Sequence, residues 1–272
     1  MKIFFIILVF IRRIVYFFFY NIDIYVLKRK SLITIFCYHS IENNNWKFTV
    51  RPDEFIKQIN FLNASGYDFI TLSDLKNYLD NKKNITKPSI LITFDDGYKG
   101  LIEIAGFLKS KKIYPSLFVL SNRKNPNRAE LGTNQMLLTK KDLLLLANRY
   151  KWGIGSHTST HSNLTKLSAR QLQAEITESR EILSNEIKSE IWSFAYPRGK
   201  YNVNAIDLVK RSNYKIALTM NDGMISKNSD PLLLPRVGVD ASHSFNEFKM
   251  LFSPSVIWFR SLLKILHINF VI

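Results

Sequence analysis

The chain has 272 residues, 38 Lys and Arg against 22 Asp and Glu, a net charge of +16 and one cysteine, Cys37. That length fits a single domain of barrel size with a large core, and one cysteine excludes an intrachain disulfide. The basic balance suits a polyanion or an anionic membrane surface, but the absence of a zinc-finger pattern, an RNP-type motif and an Arg-rich tail argues against nucleic acid.

Residues 1–30 read as a segment of their own. Residues 3–11 are wholly apolar, Arg12 and Arg13 interrupt, residues 14–20 are apolar again, and Lys28, Arg29 and Lys30 close the run. As a spanning helix, the arginines cost about 2.5–3.5 kcal/mol each and the apolar residues return about 0.3–0.6 each, a sum near zero. As a secretory signal the apolar stretch has the right length but lacks a small-residue cleavage site. An uncleaved helix lying on a membrane is the preferred reading; a buried core helix is the other.

From residue 32 strands and helices alternate. Residues 32–38 read as a strand. Residues 52–65 read as a helix with Phe55, Ile59 and Leu62 on one face and Gly66 at its end. A strand over 68–72 is followed by a short helix capped by Ser73. Residues 90–94 are an apolar, β-branched run that stops at Asp95-Asp96-Gly97, the pattern of a buried strand feeding a tight turn. Then come a helix (98–111), a strand (115–120), a long loop over the site (121–138), an apolar helix capped by Thr139 and a strand (152–156). Ser168 and Gln171 form a capping box for a helix lined by Leu172, Ile176, Leu183 and Ile187. Strands over 192–196, 215–219 and 232–239 and a helix near 202–212 complete the pattern. Ser253-Pro254 opens a last helix. Its Arg260, Lys264 and His267 recur at helical spacing, opposite Val256, Phe259, Leu263 and Leu266. That basic face suits either a membrane surface or packing on the barrel. The expected organisation is a membrane-associated segment (1–30), a catalytic α/β domain (31–245) and an amphipathic C-terminal helix (246–272). About seven strand–helix units can close into a barrel, and the lack of G-x-G-x-x-G or Walker motifs disfavours a nucleotide-binding fold.

Four polar clusters each follow a predicted strand: His39, Asp95-Asp96, His157 to His161, and Tyr196-Pro197-Arg198-Gly199. In a barrel those strand ends converge on one face. Asp95 and Asp96 point to opposite sides, so one can hold a metal while the other handles a proton; the alternative is a turn that merely caps the next helix. His157 and His161, at i and i+4, fall on one face of a helical turn. With Asp96 they make a two-imidazole, one-carboxylate set, hydrolytic with zinc or oxidative with iron. The spare acid, Asp95, favours hydrolysis.

Thr93-Phe94-Asp95-Asp96-Gly97, His157 with His161, and Phe194-Ala195-Tyr196-Pro197-Arg198-Gly199 resemble, in that order, the first three motifs of the polysaccharide deacetylases, carbohydrate esterase family 4 with its NodB-homology domain. The resemblance covers about residues 32–240. It implies a distorted (β/α) barrel, one divalent metal ion, usually zinc, and removal of N-acetyl groups from an amino sugar. By position, Asp95 resembles the catalytic base; Asp96, His157 and His161 resemble the metal ligands; Tyr196, Pro197 and Arg198 resemble a substrate-binding stretch, with the Arg198 amide as oxyanion donor. Two departures stand out. The C-terminal Leu-x-His motif that supplies the acid histidine of most members lacks a clear counterpart, since His243 and His267 end no clear apolar strand. His39, ending the first strand, instead resembles the acid of a permuted branch that contains the poly-N-acetylglucosamine deacetylases. Ala195 stands where many relatives carry an Arg that orients the base; Arg236 can substitute, or be an ordinary surface residue. The Arg198 side chain, if it meets substrate, points to an anionic group such as phosphate. The expected activity is therefore N-deacetylation of a surface polysaccharide or a lipid-linked amino sugar at the bacterial cell envelope. The alternatives are a catalytically silent glycan-binding barrel and an amidohydrolase on a non-sugar amide.

Overall fold

The computed structural model describes residues 2–27 and 32–266. The Lys28–Lys30 triplet and His267 lie outside them. Eight parallel strands form one curled sheet: β1 (Ile33–Tyr38), β2 (Asp68–Phe69), β3 (Ser89–Phe94), β4 (Ser116–Val119), β5 (Gly153–Ser156), β6 (Ser193–Ala195), β7 (Ile216–Leu218) and β8 (Val237–Gly238). Their order is β8-β1-β3-β4-β5-β6-β7, with β2 also on β3. The curl nearly closes through one short run of chain. Leu234 bridges Leu218 at the end of β7, and three residues later Val237 pairs with Phe36 of β1. First and last strands are therefore neighbours, and Arg236 sits in the seam between them. This is the distorted (β/α) barrel that the family resemblance implies and that the alternating pattern allows.

β1 and β3 are buried along their whole lengths, as parallel strands covered on both faces must be. Their side chains alternate. Phe36, Tyr38, Ile90, Ile92 and Phe94 pack outward under the helices, while Ile33, Ile35 and Leu91 join Phe118, Ala195, Leu218 and Leu234 in the barrel interior. The same period carries Cys37, Thr93 and Asp95 inward at the C-terminal end. The interior thus changes from apolar to polar along its length, which is what sets a site there.

The surrounding helices are α1 (Lys2–Asn21), α2 (Pro52–Ala64), α3 (Leu72–Leu79), α4 (Leu101–Ser110), α5 (Lys140–Leu144), α6 (Ala169–Gln173), α7 (Ser179–Ile187), α8 (Val203–Arg211), α9 (Phe245–Phe248) and α10 (Pro254–Ile265). α2 buries Phe55, Ile59 and Leu62 as its spacing predicts, and Gly66 follows it at φ 78°. Several boundaries move. α3 is capped by Thr71, not Ser73, because Thr71 and Asp74 complete a capping box. α4 begins three residues later than expected. The loop 121–138 contains a helical turn, Arg128–Leu131, capped by Asn127. The late strand shrinks to Val237–Gly238, since its earlier residues switch partners from β7 to β1.

The chain ends pack on each other and on the barrel. Arg12 of α1 is buried against Glu247 of α9 at 2.7 Å. Asp23 accepts the Ser255 amide at 2.7 Å and caps α10. Arg260 of α10 donates to Asp222 at 2.7 Å and to the Tyr16 hydroxyl at 3.0 Å, and Lys264 lies 2.5 Å from Asp222. Of the two readings of α10's basic face, the structure shows packing on the barrel: Arg260 and Lys264 turn inward to neutralise the buried Asp222 carboxylate.

Candidate active site

Asp95 leaves β3 on the inner side and is almost fully buried. Arg236, completely buried in the β7–β1 seam, grips both of its oxygens: Nη1 to Oδ1 and Nη2 to Oδ2, each 2.7 Å. The rest of the guanidinium is tied to the Thr219 carbonyl (2.9 Å) and the Thr93 hydroxyl (3.3 Å). Burial alone would raise the Asp95 pKa, but the Arg236 charge and hydrogen bonds, with His157 nearby, outweigh it and hold the carboxyl well below the usual range. The pair is bidentate and rigid.

Asp96 turns the other way because its backbone adopts φ 68°, and Gly97 follows at φ 83° with Val119 packed where a Cβ would stand. Asp96 Oδ1 lies 3.4 Å from Nε2 of both His157 and His161. It has no hydrogen-bond partner among the described residues. His157 Nδ1 sits 2.8 Å from the Ala195 carbonyl, which can only accept, so this nitrogen carries the proton and Nε2 faces the carboxylate. Burial is the main cause that pushes the His161 pKa down to about 4, leaving its imidazole unprotonated at neutral pH. Two imidazoles and one carboxylate with an orphaned buried oxygen converge within 4.8 Å. That donor set fits a divalent cation.

The histidine pair does not lie on a helix, as the i,i+4 spacing predicts. Thr158 and His161 both take positive φ, 72° and 71°, and the segment is an irregular turn. Glu175, from the stretch that joins α6 to α7, organises it by accepting the amides of Ser159 and Thr160, each at 2.9 Å, and the Thr160 hydroxyl at 2.5 Å.

His39 stands across from this set at the end of β1. Ligand atoms of Cys37, His39 and Asp95 lie within 4.8 Å of one another. Trp46 and Phe48 flank the imidazole, with centroids 6.3 and 5.3 Å away. His39 opens onto a cleft of about 430 Å³, with Lys47, Arg198, Gly199 and His243 among its walls. Arg198 is left-handed at φ 53°, and Gly199 at φ 66° passes so close to Met220 that a Cβ would sit 2.6 Å from its amide nitrogen. The Arg198 guanidinium binds the Glu130 carbonyl and carboxylate, so the loop 121–138 already engages it. Tyr196 and Pro197 do not line this cleft: Tyr196 is fully buried against Phe194 and Tyr201. His243 is buried 3.3 Å from Asp240 and 3.4 Å from Arg260.

Three neighbours escape sequence reasoning. Cys37, read as a core residue, lies with Sγ 3.5 Å from Asp95, and burial pushes its thiol pKa well up. Its odd-numbered place with His39 on β1 was the available signal. Thr93 shares the Asp95 face for the same reason. Glu175 carried no signal, since helical spacing alone cannot show that it turns inward.

The family model for polysaccharide deacetylase matches residues 82–232, more than half of the chain. The chain belongs to the polysaccharide deacetylase family. It is an enzyme, a polysaccharide N-deacetylase of the hydrolase class. His39 and Arg236 lie outside the matched residues, the first directly after β1 and the second directly before β8. The poly-β-1,6-N-acetyl-D-glucosamine N-deacetylase of Staphylococcus aureus (strain MRSA252) is 23% identical over 221 residues, covering 78% of this chain and 75% of that protein. YxkH of Bacillus subtilis (strain 168) is 26% identical over 222 residues, 81% of this chain and 76% of its own. Among solved structures, IcaB from Ammonifex degensii superposes with a TM-score of 0.72 at 18% identity, over 84% of this chain and 98% of that one. The Streptococcus pyogenes deacetylase PplD, in complex with acetate, gives 0.70 at 24% identity, over 82% and 98%. These likenesses establish the fold.

Proposed function

We propose that this deacetylase hydrolyses the N-acetyl group of an amino sugar in a bacterial surface polysaccharide or a lipid-linked glycan, with a divalent cation, zinc by its ligand set, held by Asp96, His157 and His161. The observation that carries the reading is the convergence of that trio beside the Asp95–Arg236 pair, with His39 within 4.8 Å of Asp95. When bound, the cation supplies Lewis acidity toward water and the acetamide carbonyl.

The chain's own groups do the rest. Asp95, held ionised and in one orientation by Arg236, accepts a proton from the attacking water. The Arg198 backbone N–H faces the oxygen that becomes negative in the tetrahedral state. His39 gives a proton to the departing nitrogen, and acetate and a free amine result. The Trp46 and Phe48 rings beside His39 offer apolar faces to a sugar ring and exclude water from the proton donor. The substrate proposal draws support from the S. aureus relative, whose name gives poly-N-acetylglucosamine as substrate.

The test is acetate release from a panel of poly-N-acetylglucosamine, peptidoglycan and polyprenyl-phosphate amino sugars, with simple acetamides as controls. Release from a glycan that chelation abolishes and added zinc restores is the expected result. Binding without release points to a silent glycan-binding barrel, and hydrolysis of simple acetamides alone points to a non-sugar amidohydrolase.

A further inference from the structure

α1 is amphipathic the wrong way round for a helix on a water-soluble protein. Its inward stripe is Arg12, Tyr16 and Phe19, continued by Asp23 in the helical turn that follows α1 (Ile22–Val26), and the polar members are engaged: Arg12 with Glu247, Tyr16 with Arg260, Asp23 with Ser255. Its outward stripe, at the spacing of one helical face, is apolar, with Phe10, Ile14, Phe17 and Phe18 each more than half exposed. α10 repeats the inversion. Arg260 and Lys264 turn inward onto Asp222, while Trp258 and Ile265 face out at 56% and 70% exposure. The two outer faces are continuous, since Phe19 touches both Phe18 and Trp258 at centroid distances of 5.8 and 6.1 Å. A patch of this size, built from two neighbouring helices, marks an interaction surface.

We propose that this α1–α10 face is the surface by which the enzyme lies on a lipid bilayer, with α1 in the plane of the interface. Three features select lipid over a second copy of the chain. The helices draw Arg12, Arg260 and Lys264 inward and leave an aromatic face, on which half-exposed Arg13 reaches back to Glu247, as a helix lying at the headgroup–acyl boundary requires. The net charge of +16 repels a second copy and attracts anionic headgroups. The buried ties at Arg12, Tyr16 and Asp23 pin α1 along the protein body, and among the described residues no helix is long and apolar enough to cross a membrane. Arg260 and Lys264, which the sequence pattern leaves free to face either lipid or barrel, face the barrel; the burden of docking falls on Phe10, Phe17, Phe18 and Trp258. Arg260 and Lys264 instead line the cleft beside His39, from the other side of the same helix. Docking therefore sets that cleft next to the headgroup layer.

The experiment uses the full chain with phosphatidylcholine vesicles and with vesicles containing phosphatidylglycerol. In flotation the protein is expected to rise with both, more tightly with the anionic ones. Phe17→Asp/Phe18→Asp is expected to lower the partition coefficient about tenfold per phenylalanine, with an unchanged melting curve. Lipids brominated along the acyl chain should quench part of the tryptophan fluorescence of the unaltered protein, and Trp258→Phe should remove that part. The quenching needs no variant that might unfold. Protein that stays in the aqueous fraction with both vesicles overturns the proposal, as does flotation indifferent to the double substitution. A stable dimer in sedimentation that the same substitution dissociates, with no vesicle binding, assigns the face to a second copy.

Discussion

Arg236 holds both carboxylate oxygens of Asp95 at 2.7 Å, from a position between the last strand and the first. The ion pair is thus also a clasp on the barrel seam, joining the end of β3 to the run that bridges β7 and β1. Catalysis and closure of the fold depend on the same contact. Asp95→Asn preserves the shape and leaves the three cation ligands untouched. It should retain stoichiometric metal while the rate of acetate release falls by roughly 10²–10⁴. Metal analysis beside the rate measurement checks this; an Asn variant devoid of metal would exchange the roles assigned to Asp95 and Asp96. Arg236→Ala and Asp95→Asn each leave a buried charge uncompensated, at a cost of about 3–5 kcal/mol; Arg236→Ala also leaves a large cavity in the seam and should be the less stable of the two.

Glu175 touches no ligand atom yet shapes the turn that carries both histidines. Glu175→Gln keeps the volume and can keep an acceptor oxygen on the Ser159 and Thr160 amides, but it removes the charge and sets an amide donor against the Thr160 hydroxyl, which now donates to Glu175. Metal affinity should drop by roughly 10–100-fold, the usual effect of disturbing groups behind a ligand. The rate per bound metal should hold, a split that a titration of activity against zinc concentration reads directly. An unaltered affinity would mean that the turn keeps its shape without Glu175.

His39 and His243 both reach the cleft, and their environments separate them. His39 is flanked by Trp46 and Phe48 near Asp95, whereas His243 is buried beside Asp240 and Arg260, and burial pushes its pKa down. His39→Ala should lose roughly 10²–10⁴ in turnover with the metal in place. His243→Ala should act on thermal stability and leave the rate per folded molecule close to that of the unaltered enzyme. A wild-type rate from His39→Ala would refute its assignment as the proton donor.

The barrel and the strand-end chemistry were legible because the side-chain period in a strand is two. Once residues 90–94 are a buried strand, Leu91, Thr93 and Asp95 share a face, and Ile35, Cys37 and His39 follow on β1. The geometry of His157 and His161 was not legible. A four-residue spacing implies a helical turn only if every φ is negative, and Thr158 and His161 break that condition under the pull of Glu175. The two chain ends stayed undecided for a related reason. A helical repeat tells which residues share a face, but not which face meets water. Arg12, Arg260 and Lys264 meet Glu247 and Asp222, which are distant in sequence for Arg12 and unpaired by any local pattern for the other two. Charge repeats that read either way therefore became the buried ties of α1 and α10.

Those ties carry a pH signature. Glu247 receives Arg12 at 2.7 Å, Arg13 at 3.1 Å and the Ser244 hydroxyl at 2.7 Å, with its side chain almost fully buried. Burial by itself raises its pKa, but the Ser244 and Arg12 bonds prevail and hold it below its ordinary value of 4.5. A carboxyl depressed in the folded state contributes stability that is fully present above its unfolded pKa and is lost as pH falls through the folded one. The Arg12–Glu247 tie should therefore be intact at pH 7 and fail below about pH 4.5. Glu247→Gln leaves Arg12 buried without its counter-charge, so its melting temperature at pH 7 should drop by on the order of 5–10 °C. Other carboxyls titrate in the same range, so the informative quantity is the difference between the two proteins. Melting curves taken from pH 7 to pH 3 should converge on acidification as the native Glu247 takes up its proton. Curves that run parallel down to pH 3 would show that the α1 anchor does not depend on the Glu247 charge.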